Sequence, residues 1–142
     1  MDIFEFIQKH DVDHAAYLIT KEDLRLAERE MGGKVGPQLS TYLLEYGYLG
    51  FESAEFYGIN ARQGLESDMV RDTIFLHRYF PETAPYFVFE NADDGAYVLV
   101  DSDDNVLFFI SEDGMIEDLG QKLNEYMLKR FESELEMDED MK

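Results

Sequence analysis

The stretch Tyr86–Ile110, YFVFENADDGAYVLVDSDDNVLFFI, reads as three strands separated by two turns. Tyr86–Glu90, Ala96–Val100 and Val106–Ile110 are rich in aromatic and β-branched residues, which suit a pleated surface. Asn91-Ala92-Asp93-Asp94-Gly95 and Ser102-Asp103-Asp104-Asn105 stand between them, and such residues form turns by bonding their own backbone. Connections this short join antiparallel neighbours. The runs are almost continuously apolar, so both strand faces should be at least partly covered, with helices on one side.

Helices are expected on either flank. Asp2 to about Leu18 is a weakly patterned helical opening. Thr20, followed by Glu22 and Asp23, caps the next helix by placing anions on its exposed amides. Leu24, Ala27 and Met31 then repeat at helical spacing, and Gly32-Gly33 supplies the left-handed stop. Pro37 suits a first helical position; Leu39, Tyr42, Leu43 and Tyr46 follow on one face before Gly47 ends the helix. Tyr48–Gly64 reads as an irregular, aromatic, glycine-punctuated stretch with a short strand at Phe56-Tyr57. Ser67-Asp68 reads as the cap of a third helix towards Tyr79, although Thr73-Ile74-Phe75-Leu76 also fits a strand; Pro81 and Pro85 close it. From Asp118 the period is helical again, with Leu119, Leu123, Tyr126, Met127 and Phe131 in one stripe. The expected fold class is α+β: a single domain over 1–131 in which an antiparallel meander is flanked by helices. Residues 132–142, ESELEMDEDMK, carry six acids and one base, and are expected to fray into an acidic, flexible tail.

Composition narrows the partners. In 142 residues, 12 Lys and Arg face 32 Asp and Glu, a formal charge of −20. Binding a phosphate backbone needs a basic footprint, so direct nucleic-acid binding is not expected. Anionic membranes would repel the chain, and no apolar run approaches the roughly 20 residues that span a bilayer. The N-terminus lacks the basic and long apolar regions of a secretory signal, which points to the cytoplasm. With no cysteine, thiol nucleophiles, thiolate zinc sites and disulfides are excluded. Eleven Phe and nine Tyr argue for a packed core rather than disorder.

A search for chemistry finds little. His10 and His14, four apart, would share a helical face as paired zinc ligands do, but no third ligand is indicated. His77 reads as a partly buried, hydrogen-bonded residue. Asp101, Asp103 and Asn105 fill positions 1, 3 and 5 of a calcium loop and Glu112 fills position 12, yet position 6 is Val106 where that loop needs Gly. A hairpin turn with local Asp and Asn bonds is the better reading. No Walker loop, nucleophile elbow or dinucleotide fingerprint is present, and no acid–base pair is identifiable. No enzyme activity and no cofactor are expected.

The run from Lys21 to Gly50 resembles the start of the SUKH superfamily, which includes bacterial immunity proteins and a yeast regulator of cell-wall glucan synthesis. The matching pattern is Glu28, then Gly32 or Gly33, Pro37 opening a helix, Tyr42-Leu43-Leu44, and Gly47. Phe56-Tyr57-Gly58 and the hairpin from Phe87 through Asp94-Gly95 to Asp101 are similar to later family segments, so the likeness covers about 20–132. The chain departs from the family in having Gly36 before Pro37, where Leu is frequent, and in lacking Trp. The resemblance implies helices packed on an antiparallel sheet and a non-catalytic antitoxin that neutralises a cognate polymorphic toxin. A nuclease toxin would have a cationic cleft, to which carboxylates are steered. The expected partner surface is the two hairpin turns, Asp93-Asp94 and Asp103-Asp104, with Tyr48, Phe51, Glu52, Glu55 and Tyr57. A regulatory protein-interaction module and a metal-assisted enzyme built on Asp101–Glu112 are the alternatives.

Overall fold

The computed structural model describes residues 1–16, 18–59 and 68–140, with side chains to 137. Residues 60–64 of the irregular loop, Ser67 and the last two residues of the acidic end lie outside the described residues. Among the described residues the fold comprises two antiparallel sheets, five α-helices and a short 3-10 turn at Pro81–Thr83.

The large sheet is the expected meander. Its strands β4 (Phe87–Asn91), β5 (Ala96–Val100), β6 (Asn105–Ile110) and β7 (Met115–Lys122) lie side by side in chain order. At the first turn the Ala96 N–H donates to the Asp93 carbonyl (3.0 Å) across Asp94 and Gly95, with φ +53° and +79°. Positive φ at both central residues matches the right-handed twist of the strands, which is why Asp-Gly serves there. The strand β7 overturns one expectation, since Leu119 lies in it and the last helix starts only at Leu123. Leu119 and Leu123 share a helical period, but ladder pairing with β6 takes the backbone of 115–122.

The helices α2 (Lys21–Met31) and α3 (Pro37–Glu45) stand where their caps predict. Thr20 Oγ1 accepts the Asp23 N–H and the Asp23 carboxylate accepts the Thr20 N–H, both at 3.0 Å. Helix α4 (Met69–Tyr79) is helical throughout, with Asp68 accepting the Val70 N–H (3.1 Å), so Thr73–Leu76 is not a strand. The opening helix α1 (Ile3–Lys9) is shorter than expected. A continued stripe would have reached His10, Asp11 and His14, which offer no apolar face; instead Asp13–His14 (β1) pairs with Leu49–Phe51 (β2). The two histidines therefore share no helical face. Strand β2 turns back into β3 (Ala54–Phe56), so the stretch expected to be irregular holds a hairpin, and Tyr57 follows its second strand. Helix α5 (Leu123–Asp140) extends into the segment expected to fray.

Phe6, Phe56, Phe89 and Phe131 form the centre, all at most 1 % exposed. Phe56 stacks on Phe131 (4.7 Å, 12°) and on Phe89 (4.8 Å), which packs β3, α5 and β4 together. Each such ring contributes about 1.5–3 kcal/mol on leaving water. Tyr42 reaches from α3 to the end of β3, where its buried hydroxyl donates to the Tyr57 carbonyl (2.7 Å).

The turn between β5 and β6 fixes α3 in place. Gly36 stands at the N-cap and brings no side chain, so the helix cannot cap itself. Asp104, buried at 3 % exposure, supplies the carboxylate: Oδ2 accepts the Gln38 N–H (2.9 Å) and Oδ1 the Leu39 N–H (3.0 Å). Gly36 is needed for this, because a Cβ there would stand 2.5 Å from Asp104 Oδ1. We expect Asp104→Ala to destabilise the protein by about 2–3 kcal/mol, two charge-assisted bonds and a helix cap being lost together. The exposed neighbour change Asp103→Ala should stay within about 0.5 kcal/mol. Urea unfolding of the two variants makes the comparison.

Candidate functional site

The residues expected to meet a partner divide into two groups. Strand β5 separates the turns at its two ends by about 15 Å, given a rise near 3.3 Å per residue. Asp103 and Asp104 lie at one end, and Asp93 and Asp94 at the other. At the Asp103 end, Asp101 Oδ1 accepts the N–H groups of Asp103 and Asn105 (both 2.9 Å), and Oδ2 accepts from Asn105 Nδ2 (3.0 Å). This is the hairpin turn with local bonds, not a calcium loop. Asp103 is exposed, whereas Asp104 is buried with both carboxylate oxygens engaged by α3.

At the other end the structure assembles a cleft of about 480 Å³. Ser53, Glu55 and Tyr57 line one side and Glu90, Asn91, Ala92 and Asp93 the other, with Arg130 from α5 between them. Glu52 belongs to the two-residue loop between β2 and β3 and takes φ +54°; Asp93 and Asp94 take φ +69° and +53°. Non-glycine residues held in that region cost about 1–3 kcal/mol each and persist only where the surroundings fix them. Glu52, Glu55, Asp93 and Asp94 are exposed. The Tyr48 hydroxyl donates to Glu55 Oε1 (3.0 Å); partial burial and that carboxylate push it up to about 12. Phe51 and Tyr57 are buried, so they support this rim rather than project from it. Phe51 packs against Phe6 and Phe131. Burial and the Asp72 carboxylate push the Tyr57 hydroxyl well above its ordinary range.

Sequence reasoning missed the polar network beneath the rim. Glu90, only 5 % exposed, accepts from the Tyr126 hydroxyl (2.5 Å) and from Arg130 Nε (3.1 Å). Arg130 Nη1 donates to Glu134, whose other oxygen accepts from Ser53 Oγ (2.8 Å). The Arg130–Glu134 spacing of four was a readable signal on a helix, but Glu90 sits in an apolar strand and gave none. Burial holds the Glu90 carboxyl above its ordinary value in spite of Tyr126 and Arg130. Burial acts in the same direction on Glu134, yet Arg130 and Ser53 together hold it below the usual range. Among the described residues no buried side-chain nitrogen or oxygen lacks a partner. The network is therefore a fully hydrogen-bonded floor in which one guanidinium is shared by two carboxylates, and the acids beside it at Glu55 and Asp93 are exposed.

The histidines stand apart from the cleft's chemistry. His10 stacks on Phe6 (4.1 Å), His14 Nδ1 donates to the Ala15 carbonyl (2.9 Å), and His77 Nε2 donates to the Tyr86 carbonyl (2.7 Å). Among the described residues no group of three or more His, Asp or Glu is placed to hold a metal ion, and no helix is long and apolar enough to cross a membrane.

The lowered Glu134 carboxyl sets a pH dependence. Its folded value lies below its unfolded one, so the ionised group stabilises the fold above the ordinary carboxylate range, and this contribution is lost as pH falls through the folded value. We expect Glu134→Gln to cost about 1–2 kcal/mol at pH 7 and the deficit to shrink at an acidic pH below the ordinary carboxylate range. Urea unfolding of both proteins at the two pH values measures it.

A search of curated proteins gave no match. The family model SUKH_5, described as SMI1-KNR4 cell-wall, matches residues 1–132, nearly the whole chain. With helices set around an antiparallel meander, the chain belongs to the SUKH superfamily, many of whose members act as immunity or antitoxin proteins.

Proposed function

We propose that this protein is a non-catalytic immunity protein that acts in the cytoplasm, binding a cognate polymorphic toxin and occluding its active site. The toxin is a protein with a basic cleft, in our reading a nuclease. The observation that carries this is a cleft lined by the exposed carboxylates of Glu55 and Asp93, with exposed Glu52 and Asp94 on the two tight turns next to them in the chain. An acidic chain in general would be attracted to a cationic protein, but only acids with fixed geometry can match a particular cleft. A nuclease gathers cations to hold its polyanionic substrate. Carboxylates that meet those cations speed the encounter and exclude the substrate. Tyr48, partly exposed beside Glu55, adds an aromatic contact of the kind enriched in binding hot spots. Asp103 and Asp104, at the far end of the sheet, are left out of this surface.

The test is co-expression with the toxin encoded beside this gene. Rescue of growth and a complex on a sizing column are expected; neither appearing would reject the reading. The triple variant Glu52→Lys, Glu55→Lys, Asp93→Lys should slow association by about tenfold or more at low salt, the wild-type rate itself falling as salt rises. Asp103→Lys should leave the rate within about twofold. Equal slowing by both variants would place the interface elsewhere.

A further inference from the structure

The two sheets meet edge to edge at the cleft. Strand β3 is the last of the small sheet and β4 the first of the large one, and they are tied where the Tyr57 N–H donates to the Phe89 carbonyl (2.7 Å). Beyond that tie the two edges open around the cleft, with Ser53 and Glu55 on one side and Glu90 to Asp93 on the other.

Register decides which backbone groups of β3 face that space. Phe51 and Ala54 close the two-residue loop, so Ala54 bonds β2, and Phe56, opposite Leu49, does the same. Gly50 and Glu55 lie opposite each other between these bonded pairs, and their own N–H and C=O groups point outward. On the β2 side the outward groups of Gly50 meet β1, where Gly50 pairs with Asp13. On the β3 side the Tyr57 N–H is taken by Phe89, and two residues back the Glu55 N–H and C=O face the cleft. Natural sheets block such an edge with a proline, a bulge or a lysine. This edge has a glutamate, which repels an acidic strand, including one from a second copy of this chain at −20, and attracts a basic one.

We propose that the toxin is engaged by strand addition: an extended segment of it, with Lys or Arg at alternate positions, pairs with the β3 edge at Glu55 and places its cations against Glu52, Glu55 and Asp93. This rests on the immunity reading above and specifies what the partner presents. Backbone pairing gives the segment its register, and the alternate side chains give the selectivity.

The test uses the full chain, labelled for NMR, at low salt. The probes are acetyl-Lys-Val-Lys-Val-Lys-Val-amide and the same peptide N-methylated at alternate backbone nitrogens, which keeps its charge but cannot pair. Saturable shifts at Ala54–Tyr57 and Ala92–Asp94 are expected, with exchange of the Glu55 amide slowed and N-methylation weakening binding by about tenfold or more. Glu55→Lys, an exposed change, should abolish the interaction while leaving the remaining spectrum intact. Equal binding of the two peptides, shifts centred elsewhere, or no saturable binding would overturn strand addition. Rescue from the toxin without pairing would sink this proposal alone, whereas pairing without rescue would sink the immunity reading and leave the β3 edge as a site for a basic strand of some other protein.

Discussion

A carboxylate on a helix end holds this fold together. Helix α3 begins at Gly36-Pro37 with no side chain of its own to satisfy its first amides, and Asp104 reaches them from more than sixty residues away in the chain. The same turn serves other elements. The Asp104 carbonyl accepts the Leu123 N–H (2.9 Å) at the start of α5, and Gln38 Oε1 caps that helix by accepting the Asn124 N–H (2.9 Å). Ser102 Oγ donates to the Lys34 carbonyl (2.8 Å), and Lys122 Nζ to the Asp103 carbonyl (2.9 Å). One turn of the sheet thereby sets the starts of two helices. Low local dielectric strengthens these bonds and makes their loss costly.

The placement of α5 in turn builds the opposite end of the molecule. Its first turn is fixed by Asp104 and Gln38, and Phe131 two turns on stacks on Phe56 of β3. Arg130 is then carried to Glu90, and Glu134 to Ser53. The acidic rim stands on this floor. Its loops are short and strained in φ, and they keep that conformation because the strands on each side are anchored to a common aromatic core. The sheet thus has a structural end at Asp104 and, in the proposed function, a recognition end at Asp93.

Much of the fold was legible in residue order. Thr20, Gly32 and Asp68 mark helix ends through bonds made within a few residues, Pro37 marks one through its fixed φ, and Asp94-Gly95 marks a turn through allowed φ values. Local causes of this sort are written in local sequence. Strand β7 and the shortened α1 were not legible, because ladder pairing with residues distant in sequence outweighed a weak helical period. Of the expected site, Glu55, Tyr57 and Asp93 line one cleft, Tyr48 bonds Glu55, Glu52 and Asp94 are chain neighbours of the lining, Phe51 is buried in the core, and Asp103 and Asp104 are at the other end of β5. The turn sequences Asp93-Asp94 and Asp103-Asp104 are alike in composition, and nothing local distinguishes the pair on the rim from the pair with a buried member.

By itself, then, the sequence determined the fold class, the helix boundaries that carry caps, the meander and the excess of 20 negative charges, since each follows from nearest-neighbour sterics, hydrogen bonding or simple addition. Tertiary structure alone decided which of those charges serve stability and which face outward. Asp104 is buried against a helix end, Glu90 against a tyrosine and an arginine of α5, and Glu134 against Arg130 of its own helix and Ser53 of the β2–β3 loop, and burial of a charge without such partners would cost several kcal/mol. Glu52, Glu55, Asp93 and Asp94 were left in water, Glu55 and Asp93 facing one another across a cleft between two strand edges and Glu52 and Asp94 on the adjoining turns.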